Sequence, residues 1–233
     1  MLHDPDECYQ DEMIRAIIST ITIFFLLFLT TCTHMVVNKH ADFSCIIEPK
    51  SNELSKDRRA RKFKSAVDFT DKLSMYDQGQ ILIASHLAAI VIRTEEFRQA
   101  VLNYEHNGIK GFVDTDMTRE QVYNTIIDGA EKYDPDADST MSFIATSFKP
   151  AKDEGRVVAF VYSSKKWVYF SEDYLFHNAS NKANTVIHEW LHMIGFEHDK
   201  DESPTREYSV PYAIGDIVQG IAVNHYRSEC WWK

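Results

Sequence analysis

Cysteine is scarce in this chain and widely spaced. The four residues, Cys8, Cys32, Cys45 and Cys230, are too few and too scattered for a disulfide framework. None lies in a C-x-x-C pair, which removes a cysteine zinc site and a thioredoxin-type motif. Cys45 and Cys230 stay open to two readings, a pair in an oxidising compartment or two free thiols. Positive charge is in deficit as well. Against 35 Asp and Glu stand 25 Lys and Arg, a formal net charge of −10. Binding phosphate backbones as a main task needs a dominant basic face, and only Lys56 to Lys62 is strongly basic, so nucleic acid is not an expected partner. No internal repeat or low-complexity tract is present. What remains is ordinary: 44% hydrophobic residues supply a core, and 233 residues suit one domain plus a tail or anchor.

The run Ala16 to Cys32 (AIISTITIFFLLFLTTC) contains no charged residue and no polar stripe at helical spacing. It sits between the length of a short spanning helix and that of a signal-peptide core, so residues 1–32 read as a signal peptide or membrane anchor. The residues before Met13 are acidic, unlike a signal-peptide start; a start at Met13 gives Met-Ile-Arg, an apolar core and Leu29-Thr30-Thr31-Cys32. That tetrad resembles a bacterial lipobox, with Thr31 larger than the usual small residue. The expectation is an exported, membrane-associated lipoprotein. The alternative is a single-pass signal anchor, with Arg58, Arg59, Arg61, Lys62 and Lys64 holding the domain in the cytoplasm.

Residues 33–62 are polar without sustained periodicity and read as a linker. A domain over 63–233 follows. Apolar residues at helical spacing, Ile81, Ala84, Leu87, Ala88, Val91 and Ile92, predict helix through Phe63 to Tyr104, closed by Asn107-Gly108. A second helix is expected from Thr118 to Tyr133, with Thr118 as N-cap, Gln121 as its capping-box partner and Asp134-Pro135 as the stop. Met141 to Phe148, Arg156 to Ser163 and Lys166 to Ser171 carry β-branched and aromatic residues as strands do. Helices, a small sheet and a last motif-bearing helix describe an α+β domain.

That motif is Ala183 to Asp199, ANTVIHEWLHMIGFEHD. A helix opening at Asn184 or Thr185 brings His188 and His192 to one face, one turn apart, as two imidazoles on one metal ion require. Glu189 lies beside them, placed to reach a water on the metal. Gly195 can stop the helix in a left-handed conformation, and the returning chain delivers His198 as a third imidazole. Three nitrogens with one open position make the catalytic form of a zinc site. Asp199 or Asp216 are the alternative third ligands. Isolated histidines are more often satisfied core residues, and His177 and His225, with no motif around them, read as ordinary surface or core residues.

At every fixed position these residues match His-Glu-x-x-His-x-x-Gly-x-x-His, and the chain resembles the metzincin metallopeptidases over about residues 155 to 225. The resemblance implies a zincin-like fold, Zn2+ on His188, His192 and His198, and Glu189 as general base for zinc-activated water, cleaving protein or peptide substrates. It implies an edge strand that holds substrate extended, for which Trp167 to Ser171 is the candidate. The family's methionine turn is missing: the last methionine is Met193, and Tyr208-Ser209-Val210-Pro211-Tyr212 stands in its place, with Pro211 to shape a similar turn. Tyr212 is a candidate oxyanion donor and Tyr208 a weaker one. The competing reading is a membrane-anchored binding module with a structural or vestigial zinc site.

Overall fold

A computed structural model describes residues 41–150, 157–162, 165–172, 178–199 and 203–227. The apolar run Ala16–Cys32, both candidate starts, His177, Cys230 and the terminal Trp231-Trp232 lie outside these residues. Among the described residues no helix is long and apolar enough to cross a membrane.

The domain is a mixed α+β structure, a small sheet with helices. Its first strand, β1 (Lys64–Phe69), occupies ground where the sequence predicts helix. Only Val67 is fully buried there, so the strand carries too few apolar residues to announce itself. Helix α1 (Met75–Ile92) is capped by Ser74, whose side chain accepts from the Asp77 N–H, and is buried nearly all round, as befits a central core helix. Helix α2 (Glu95–Leu102) is capped in the same way by Thr94. Asn107-Gly108 then forms the turn of a two-residue hairpin between β2 (Glu105–His106) and β3 (Ile109–Lys110), rather than a helix stop. Helix α3 (Arg119–Asp128) carries the expected capping box of Thr118 and Gln121, and ends at a left-handed Gly129, short of Asp134-Pro135.

Strands β4 (Thr140–Phe148), β5 (Ala159–Val161) and β6 (Trp167–Ser171) complete a sheet in the order β1-β4-β6-β5. β1, β4 and β6 run parallel, and β5 returns antiparallel to β6. Trp167–Ser171 is thus an inner strand. Among the described strands the edges are β1 and β5, a correction that local sequence has no means of supplying, because strand order is a property of the assembled sheet. The motif helix α4 (Ala179–Met193) starts at the Asn178 N-cap, ahead of the expected Asn184 or Thr185, and packs against α1 and α5 (Val210–Ala222).

Residues 41–62 belong to the same unit as the domain, in place of the linker expected there. Ala41, Cys45, Ser55 and Ala60 are buried, and main-chain bonds tie Ile47 to His225 and Arg227 to Cys45. Cys45 is disulfide-bonded, and the other three cysteines lie outside the described residues. His225 is buried with Nδ1 against the Ile47 carbonyl, a satisfied core histidine.

Candidate metal centre

Helix α4 owes its position to what lies on its two sides. On one, Trp190 is fully buried, edge-on to Phe63, and donates Nε1–H to Glu131 at 2.8 Å. Glu131 also accepts from the Ser142 N–H at 2.8 Å, so a single buried carboxyl joins the helix to β4. Burial pushes that carboxyl above its ordinary range. On the other side Asn184 donates to Asp216 and Gln219 of α5 at 3.1 and 2.9 Å. A side chain at Gly215 would run into the Asn184 amide, so the absence of one lets α4 and α5 close. The open side of α4 carries His188, Glu189 and His192.

The helix ends as the motif requires. Gly195 has φ of 112°, a region that side-chain-bearing residues rarely adopt, and its N–H bonds the His192 carbonyl while the Phe196 N–H bonds that of Leu191. This reversal sends the chain back across the helix end. It presents the Phe196 carbonyl to His192 Nδ1 at 2.8 Å and delivers His198 beside the other two rings. Ring centroids stand 5.1 Å apart for His188 and His192, 5.3 Å for His188 and His198, and 4.8 Å for His192 and His198. One donor atom from each residue lies within 4.8 Å of the others, so the three can hold a metal ion.

Two of the rings are oriented by a main-chain oxygen. His192 Nδ1 meets the Phe196 carbonyl and His198 Nδ1 meets the Asp199 carbonyl, both at 2.8 Å. A carbonyl only accepts, so these two ring nitrogens carry the proton. The opposite nitrogen is then a bare lone pair, the form that ligates. Burial, reinforced by the neighbouring imidazoles, pushes His188 down to about 3. Burial also lowers His192, so both rings are neutral at physiological pH.

These groups floor a cleft of about 820 Å³. Residues 157–162, including β5, form one wall. In the β5–β6 pairing Val158 accepts from the Ser171 N–H, which leaves Ala159 and Val161 turning their main-chain groups away from β6. Tyr212, Arg206 and Asp216 line the cleft as well. Glu189 opens into it with 6% exposure, and burial alone pushes its carboxyl up to about 8.

The other sequence candidates fall out as follows. Tyr212 lies in the first turn of α5, its ring 4.6 Å from His188 and 4.8 Å from His198. Pro211 sits in that same first turn, where a missing N–H costs nothing, so the segment is a helix start and not a tight turn. Asp199 is exposed and contributes its carbonyl, while Asp216 is bonded to Asn184; neither belongs to the three-residue donor group. Tyr208 stacks on His106 at 4.3 Å and serves the hairpin. Arg206 and the two orienting carbonyls have no counterpart in the sequence reading, because main-chain oxygens leave no mark on side-chain identity. Neither the protein-family models nor the curated proteins contain a match to this chain.

Proposed function

We propose that the chain is a zinc-dependent, metzincin-like peptidase that hydrolyses peptide bonds held between β5 and the start of α5. One observation carries this reading. His188 Nε2 and His198 Nε2 face each other at 3.3 Å while His198 spends its Nδ1 proton on the Asp199 carbonyl. At that distance the two nitrogens can share one cation in place of one proton. Imidazole nitrogens on a tetrahedral zinc, bonded at about 2.0–2.1 Å, stand roughly 3.3 Å apart, which fits the spacing.

Zinc held by His188, His192 and His198 supplies a Lewis acid and lowers the pKa of water towards about 7. The chain's own residues do the rest. The outward main-chain groups of Ala159 and Val161 hold an extended substrate as an added strand would be held. Glu189, in its ionised form, accepts the proton of the attacking water and returns it to the leaving amine. Tyr212 offers its phenol to the oxygen that becomes negative as the carbonyl is attacked. For location, we carry forward an apolar N-terminal segment that exports or anchors the domain. The disulfide at Cys45 supports an oxidising compartment.

The test uses the full chain, purified in detergent, with zinc content measured beside cleavage of an unfolded protein. Wild type is expected to hold about one zinc per chain and to cleave. Glu189→Gln is expected to hold the same zinc and to lose turnover. Equal background cleavage in both, with zinc bound, would instead favour a binding module whose metal is structural.

A further inference from the structure

We infer that Arg206 makes the cleft selective for substrates bearing a carboxylate close to the scissile bond. The inference rests on the peptidase reading and adds the substrate class.

Arg206 is an anomaly in its surroundings. The chain has a formal net charge of −10, and the cleft already holds Glu189, Glu197 and Asp216. Even so, the half-buried guanidinium of Arg206 forms no salt bridge among the described residues, although Glu207 is its neighbour in sequence. Its Nε is buried and has no hydrogen-bond partner among the described residues. A buried N–H left unpaired is costly, and on a cation more so, which makes it the kind of exception that points to a missing partner.

The group is also held in place. Its Cζ lies 5.1 Å from the centroid of the Tyr212 ring, a cation–π contact. Tyr212 in turn touches His188 and His198. One aromatic ring therefore separates the guanidinium from the metal-holding imidazoles. An extended peptide advances about 3.3 Å per residue, so a carboxylate reaching Arg206 belongs to a residue within about two positions of the reacting carbonyl. Arg206 and Tyr212 also line a second recess of about 300 Å³, together with Ser203, Pro204 and Glu207, with room for the rest of that residue. A guanidinium fork pairs with a carboxylate through two parallel N–H donors. Two sources share the chemistry: an Asp or Glu side chain, or the free carboxylate at a peptide's C-terminus.

The experiment compares internally quenched peptides on the zinc-loaded full chain. One set carries Asp or Glu, against Asn or Gln, at each of two positions on either side of the cleaved bond. A second set is identical except that the C-terminus is free or amidated. Wild type is expected to favour the carboxylate member of one set by roughly tenfold to a hundredfold in kcat/KM, and the set that responds identifies the source. Arg206→Gln should erase the difference, and Arg206→Lys, which keeps charge without the fork, should reduce it. Equal kcat/KM for acid and amide in wild type overturns the inference, and so does a preference that survives in either variant undiminished. Should no peptide be cleaved, anisotropy of labelled peptides on Glu189→Gln decides the matter. Tighter binding of acid than amide, lost in Glu189→Gln/Arg206→Gln, would retain the carboxylate site while the peptidase reading fell; equal binding would remove both.

Discussion

Lys182 lies in the first half of the motif helix, is 3% exposed, and donates from Nζ to Gln80 on α1 at 2.8 Å. Burial depresses its ammonium from 10.5 to about 8, with Asp77 opposing weakly. At about 1.4 kcal/mol per unit, that depression corresponds to roughly 3 kcal/mol of cost for folding with the charge in place. The sign follows from proton counting. Below about pH 8 both folded and unfolded chains carry the proton, and the folded state bears the whole cost. Between about 8 and 10.5 the unfolded chain holds more protons, so stability rises with pH. Above 10.5 both are neutral and the cost has gone. Lys182→Met removes the charge while keeping an unbranched apolar stem. It forfeits one hydrogen bond to Gln80, about 1 kcal/mol, and Gln80 is partly exposed and can bond water instead. The net expectation is a gain of about 2 kcal/mol at pH 7 that shrinks to nothing or reverses by pH 10.5. Urea unfolding of both proteins at half-unit steps from pH 7 to 10.5 measures it. A difference between the two that does not change across that range would refute the reasoning, since only a titrating, buried ammonium makes it pH-dependent.

Gly215→Ala is expected to destabilise by about 1–3 kcal/mol despite the better helix propensity of alanine, because the new methyl meets Asn184 where α4 and α5 touch; thermal melts report it. Trp190→Phe removes one of two donors to the buried Glu131 and should cost about 1–3 kcal/mol, seen as a lower urea midpoint with the m-value unchanged. Tyr212→Phe should leave zinc content intact and lower kcat on the order of a hundredfold, read from steady-state cleavage. A kcat within a factor of two would assign the ring to packing alone.

The site was more legible in the sequence than the fold around it. His188, Glu189, His192, Gly195 and His198 are fixed by helical spacing and one helix stop, both local properties, and the structure brings the three imidazoles together. The capping box at Thr118 and Gln121 was readable for the same reason. What failed depends on contacts distant in sequence. Residues 41–62 are polar in composition, yet their small members, Ala41, Cys45, Ser55 and Ala60, are covered by other parts of the domain. Strand β1 has alternation too weak to compete with the strong helical period that follows it. Helix α4 begins well before its first large apolar residue, Val186, and its early turn buries Ser180 and Lys182, whose character does not announce a core position. The Asn107-Gly108 signal was present, but a break after a helix and the turn of a short hairpin use the same two residues.

His192 and His198 take their aim from main-chain oxygens, with the Glu197 carboxylate standing 3.7 Å from His192 Nδ1 beside them. No substitution can delete those oxygens; it can only move them. Vulnerability therefore passes to the residues that set the route of the backbone. Gly195 alone bends the chain through φ of 112° on its way to Phe196 and Asp199, and Pro211 fixes the opening turn of α5. A variant at either position would keep every ligand and still mistune the centre, so harmful changes here would look conservative at the metal and severe in the loops.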